Sequence, residues 1–233
     1  MKKACGETIC DSLKKTEASP SILKLDSLYR KPSVGLDELR RREIYRYLRL
    51  EGHAPDEATS ADVERNLKRL HDMVDVRCVA SLRPVTKTGD VIVFGDFSTE
   101  SVMLQKNMKT SEYAVIFAMT LGAAVDRLIN RLLITSKADA FITDACCTEY
   151  LESCANRYCA QVRDEAAEYD FCAHPRFSPG FADFSLEFQW PLIRSLHADK
   201  KMHIAITEGH MLIPTKTMTA LMGLDRRNHD LTT

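Results

Sequence analysis

The chain has almost no excess of charge of either sign, no hydrophobic run long enough to span a bilayer, and none of the short glycine motifs that announce a bound nucleotide. Each absence removes a class of function. Formal net charge is -1, from 32 Lys and Arg against 33 Asp and Glu. No basic field therefore exists for a nucleic-acid backbone, and no cluster of Lys and Arg interleaved with aromatics creates one locally. Met1-Lys2-Lys3 runs into the polar stretch Ala4 to Ser21 rather than the apolar block of a signal peptide, so a cytoplasmic protein without nucleic-acid or membrane partners is expected. There is no G-x-G-x-x-G after a strand, no G-x-x-x-x-G-K-[ST] and no G-x-S-x-G, which removes the direct arguments for a dinucleotide enzyme, an NTPase or an α/β-hydrolase. C-x-x-C, C-x-x-x-C-x-x-C and D-x-H-x-x-G are missing too. The chain thus lacks the usual radical cluster site and the usual histidine loop that holds a corrinoid.

What is present is ordinary globular material: 45% hydrophobic and 28% charged residues over 233 positions, enough for one large domain. Residues 1–35 read as a loosely held N-terminal arm and 36–233 as a single α+β domain that begins with a helical hairpin. Leu36, Leu39, Ile44 and Leu48 mark a helix from Leu36 to Leu50, which Gly52-His53-Ala54-Pro55 breaks. Val63, Leu67, Leu70 and Val74 mark a second, with Thr59 or Ser60 as its cap. Val91 to Phe94 and Ala114 to Met119 are compact apolar runs that suit buried strands, and Ser98 to Met108 reads as helix. Val125 to Leu133 and the long stretch Asp139 to Tyr169 are helical, as is the segment from Asp183 or Ser185 to Leu196. His203 to Thr207 and Met211 to Met222 read as strands.

Eight cysteines in a chain of this size and type predict reduced thiols rather than a disulfide scaffold. On a helix Cys147 and Cys154 share a face while Cys159 is turned away, so core packing is a better account of them than metal ligation. No two of the seven histidines stand at the spacing that puts both imidazoles on one helical face. Asp144, Glu149 and Glu152 are candidates for acid-base work, and a solvated face accounts for them as well.

The densest constellation is Arg176-Phe177-Ser178-Pro179-Gly180-Phe181. Proline at the second position and glycine at the third predict a type II turn, leaving backbone N–H groups to meet a ligand. Arg176 can grip a carboxylate through two prongs, and Phe181 offers a flat face to a heterocycle. An arginine beside a surface Pro-Gly turn is also a common feature with no ligand at all.

The Arg-x-x-Pro-Gly-aromatic run, continued by Ala182-Asp183-Phe184, resembles the signature of the reactivation domain of cobalamin-dependent methionine synthase, in its short free-standing form. Ile213-Pro214-Thr215-Lys216-Thr217-Met218-Thr219-Ala220-Leu221-Met222-Gly223 resembles the closing strand of that family, with Thr for both serines of its Pro-x-Lys-Ser-x-Ser pattern. Glu43 to Leu48, Thr120-Leu121-Gly122 and Asp144-Ala145 fall in the expected order. The resemblance implies a C-shaped fold around a bent antiparallel sheet flanked by helices, with S-adenosylmethionine in a shallow groove. It places the methionyl carboxylate at Arg176, adenine by the backbone of Ser178 and Gly180, and an acid at Asp170 toward the ligand's ammonium. Phe181 stands where many relatives carry tyrosine, so the ring can still stack but has no hydroxyl to offer a ligand.

The function so implied is a stand-alone reactivation factor. It would present S-adenosylmethionine to cob(II)alamin carried by a separate methionine synthase or related corrinoid protein, with flavodoxin or another reductase as electron donor. No catalytic acid or base is required. Two rivals remain: an adaptor that docks on a corrinoid protein without binding S-adenosylmethionine, in which Arg176 serves a structural ion pair, and an enzyme acting on another small anion in the same groove.

Overall fold

A computed structural model describes residues 33–50 and 54–227. The arm expected over 1–35 lies outside the described residues as far as position 32. Val34, assigned to that arm, is instead buried in the main core, because it packs where the chain enters the helical layer.

A short 3-10 turn, Leu36–Glu38, is followed by α1 (Arg41–Tyr47) and α2 (Glu57–His71). The single helix expected over Leu36 to Leu50 is therefore interrupted: Leu39 and Arg40 are extended, which lets the Arg40 side chain reach another helix. Asp56 rather than Thr59 or Ser60 caps α2, its carboxylate accepting from the Thr59 N–H at 2.6 Å. Both helices pack chiefly on a third, the long helix Lys137–Ala167, rather than on each other, so the expected hairpin is a pair of ribs on a common spine. Their direct link is an ion pair, Arg41 Nε to Glu64 Oε1 at 2.7 Å.

The sheet-forming part follows with β1 (Arg77–Pro84), β2 (Thr86–Thr88), β3 (Val91–Val93), β4 (Ser98–Thr99), α3 (Val102–Asn107) and β5 (Tyr113–Thr120). Then come α4 (Ala123–Thr135), α5 (Lys137–Ala167), β6 (Phe171–Ala173), α6 (Gln189–Leu196), α7 (Ala198–Met202), β7 (Ala205–Ile206), β8 (Leu212–Ile213) and β9 (Thr217–Arg226). The main sheet is antiparallel in the order β1-β5-β9-β6, beside a three-stranded sheet β2-β3-β4 and the pair β7-β8. The fold is α+β with open antiparallel sheets. β1 is not legible in the sequence, since its polar Ser81 and Arg83 dilute the apolar pattern.

Period-two alternation divides the core in two. Val115, Phe117 and Met119 of β5, with Cys78 and Ala80 of β1 and Ala220 and Met222 of β9, face α2, α4 and α5. Ala114, Ile116 and Ala118, with Val79 and Leu221, face Phe177, Phe184 and the apolar side of α6. A central strand buried on both faces has no polar side to show, which is why β5 reads as an unbroken apolar run.

α5 is the spine. Cys146, Cys147, Cys154 and Cys159 lie buried along it as small apolar packing groups. Burial pushes the Cys146 and Cys154 thiols up to about 12 and Cys147 higher still. Cys172 departs from the expected core role: it is exposed on the edge strand β6, with Arg227 Nε 3.2 Å from its sulfur. Reactivity follows thiolate fraction and access. Brief treatment of the native protein with iodoacetamide at pH 8 should therefore label Cys172 first among the described cysteines. Peptide mass spectrometry checks this, and equal labelling of Cys147 would contradict it.

Candidate functional site

The edge of the main sheet builds the site. After β6 the chain continues along β9, with the His174 N–H donating to Gly223 O at 2.8 Å. Phe177 and Leu221 then exchange both backbone bonds, at 2.8 and 2.9 Å. Adjacent residues of an extended segment point to opposite faces, so Phe177 enters the second core while Arg176 turns back toward α5. There the Arg176 guanidinium forms an ion pair with Glu152 and donates from Nη1 to Asn156 Oδ1 at 2.8 Å. These partners are four residues apart on α5 and share one face of it. Arg176 also lies near Cys159, whose thiol burial raises and this cation pulls back. Tyr47 of α1 completes the surroundings. Its phenol is pushed up first by burial and then by the negative charge of Glu152.

Ser178 to Phe181 form the expected turn: Gly180 has φ +88° and the Phe181 N–H donates to Ser178 O at 3.2 Å. Pro179 is buried and Gly180 exposed. The turn is held shut, however, because the Gly180 N–H donates to Phe184 O at 2.7 Å. The N–H groups of Gly180 and Phe181 are thus taken up within the turn, which corrects the expectation that they await a ligand. Phe181 keeps 61% of its surface exposed, packing edge-on against Phe177 at 5.2 Å between centroids.

Asp183 is the motif's anchor. Its carboxylate accepts from Ser101 Oγ at 2.6 Å and from the N–H groups of Val102 and Met103, capping α3. The Ser101 hydrogen bond, with those N–H groups, holds its pKa below the usual carboxylate value. A cavity of about 490 Å³ opens beside it, bounded by Ser98, Glu100 and Phe188. The closing segment is pinned just as firmly: Lys216 Nζ lies 2.8 Å from Asp144 and 2.9 Å from Thr148, and Thr215 binds Asp126 through its N–H and hydroxyl, each at 2.8 Å.

Asp170 does not join this group. Its carbonyl accepts from the Arg227 N–H, whereas Phe177 pairs with Leu221. The two ends are six residues apart along β9, roughly 20 Å at about 3.4 Å per residue. The acid beside Arg176 is Glu152, which the sequence pattern places equally well on a solvated helix face. Asn156 and Tyr47 carry no signal in the sequence, and only the docking of α1 and of the edge strand onto α5 brings them in.

No family model matches the chain, and no curated protein does. A solved structure does: the crystal structure of the MetH reactivation domain bound to AdoHcy superposes with a TM-score of 0.58 at 15% sequence identity, covering 89% of this chain and 80% of that one. The chain has the fold of the MetH reactivation domain. In this reactivation-domain fold the Arg176 motif occupies the free edge of the four-stranded sheet, between α5 on one face and α6 on the other. The long β9 pairs with the motif at Phe177, and its Gly223 sits opposite Ala114 of β5.

Proposed function

We propose that this chain binds S-adenosylmethionine at the Arg176 edge and presents it for reductive methylation of a corrinoid held by a separate protein. The observation that carries this reading is the Arg176–Glu152 pair beside the Ser178–Phe181 turn, in a fold shared with a domain whose crystal structure holds AdoHcy. An α-amino acid head is a zwitterion, and adjacent opposite charges match it: Arg176 for the carboxylate, Glu152 for the ammonium. A guanidinium has five N–H donors, so contacts to Glu152 and Asn156 leave capacity for a carboxylate. The exposed Phe181 ring supplies a face for the purine.

S-adenosylmethionine supplies the methyl group as a sulfonium electrophile. A corrinoid on the partner, reduced by one electron from flavodoxin or another reductase, would supply the nucleophile for that methyl group, and S-adenosylhomocysteine would leave with the electron pair of the broken C–S bond. This chain's part is binding and orientation, which need no acid or base.

Calorimetric titration of the protein with S-adenosylmethionine and S-adenosylhomocysteine tests the reading. Saturable binding is expected, and Arg176→Ala should weaken it about 10- to 100-fold, a charge-assisted hydrogen bond being worth roughly 1.5–3 kcal/mol. Absence of binding, alone and with a corrinoid methionine synthase present, overturns it. One observation favours the adaptor reading: Arg176 already has protein partners in Glu152 and Asn156. Under that reading Arg176→Ala alters stability and docking on the corrinoid protein, and neither ligand gives heat.

A further inference from the structure

Beside Asn156, the segment 34–40 and one face of α5 line an open cavity of about 460 Å³, within the size range of small-molecule sites, about 300–1,000 Å³. We propose that this cavity is a separate binding site for a free α-amino acid with an uncharged side chain.

Its donors include Arg40, Asn156 and Arg157, beside the carboxamide of Gln161. Arg40 is fixed from behind: its Nε and Nη2 bind Glu149, a carboxylate with no solvent exposure, at 2.9 and 3.1 Å. Its side chain is nevertheless 49% exposed, and the Nη1 edge is the part left to account for this. Asn156 gives its Oδ1 to Arg176, so its Nδ2 amino group remains as the donor. Arg157 is paired with Glu38 at 3.0 Å, but both side chains are 40% exposed or more. Such a surface pair holds by only about 0–1 kcal/mol, so Arg157 can be redirected to a ligand at little cost, while Glu38 stays held by the Gly35 N–H at 2.8 Å.

Two acceptors face them. Glu38 is one, and Asp164, whose carboxylate has no hydrogen-bond partner among the described residues, is the other. The lining presents both signs of charge, Arg40 and Arg157 beside Glu38 and Asp164, with Arg40 held from behind by Glu149. A zwitterion satisfies both halves: carboxylate on the Arg40, Asn156 and Arg157 donors, ammonium on Glu38 and Asp164. Among the described residues, Val34 and Ala160 supply the apolar lining, which suits an uncharged side chain. Since Asn156 touches Arg176, an amino acid held here also steadies the arginine of the neighbouring site.

The test is calorimetry on the full chain with L-leucine, beside 4-methylpentanoate, which lacks the ammonium, and 3-methylbutylamine, which lacks the carboxylate. L-alanine and L-glutamine extend the panel. At least one amino acid should saturate, with either leucine control about tenfold weaker or worse, and Arg157→Gln and Asp164→Asn should each weaken leucine by about tenfold. Both substitutions lie on an exposed rim, and melting curves confirm that the variants fold. The proposal falls if no amino acid saturates or if the controls match leucine. It also falls if saturating S-adenosylhomocysteine displaces leucine, because the cavity would then be part of the Arg176 site. Leucine binding without any S-adenosylhomocysteine heat would leave this inference standing and remove the proposed function instead.

Discussion

Arg40→Met should lower the melting temperature by about 6–12 °C. Glu149 is the most enclosed carboxylate of α5, with no exposed surface, and Arg40 is its counter-charge. Four donors converge on it: the Arg40 N–H at 3.1 Å, its Nε and Nη2, and Ser153 Oγ at 2.6 Å. The substitution removes the charge and two of the four donors while keeping the hydrocarbon stem. A buried charge left without its partner costs about 3–5 kcal/mol. Water can enter where Arg40 was half-exposed, so the lower end, about 3 kcal/mol, applies. For a domain of this size each kcal/mol shifts the midpoint by about 2–4 °C. The double variant Arg40→Met with Glu149→Leu should recover most of the loss, since no stranded charge then remains. A single variant that melts within about 2 °C of wild type would show that solvent, not Arg40, satisfies Glu149.

Gly223→Val should cost about as much for a different reason. A Cβ at position 223 would lie 2.3 Å from Ser111 Oγ, 3.0 Å from Met108 Cγ and 3.2 Å from Ser111 Cβ. Ser111 cannot easily withdraw, because its hydroxyl donates to Asp225 at 2.7 Å, where Thr110 and His174 also converge. Burial pushes the Asp225 pKa up, but these hydrogen bonds outweigh it and hold the carboxyl below its usual value. Nor can β9 shift, being paired to β5 on one side and to the chain at His174 on the other. Overpacking in such a place costs about 3 kcal/mol, at the upper end of the usual range. Urea unfolding measures it. Gly223→Ala should show a smaller loss that Ser111→Gly relieves, and an additive double variant would refute the steric account.

Several features were legible because they depend on local chemistry. The type II turn at Pro179-Gly180 follows from one fixed φ and one glycine, and the structure has it. β5 and α5 follow from apolar period and length, and the cysteines of α5 pack as their small apolar character predicts. Other features depended on partners far away in the chain. Asp170 and Arg176 are six residues apart in sequence, yet the extended chain between them puts them roughly 17 Å apart along β9, at about 3.4 Å for each of some five residues. Glu152 is 24 residues from Arg176 and touches it. A chain read as text favours near neighbours, whereas an extended strand separates them and a strand folded back on a helix joins distant ones.

The amino-acid sequence alone therefore determined the α+β class, the positions of the central strand β5 and of the long helix, and the six-residue motif with its turn. Those properties rest on residue-by-residue preferences of backbone and side chain. Tertiary structure decided which acid meets Arg176, that the turn's N–H groups are already paired, and that Arg40 closes on a buried Glu149. The two ion pairs join segments far apart in the chain and form only when α5 receives the 34–40 segment and the sheet edge, whereas the turn is closed locally by the return of the chain at Phe184.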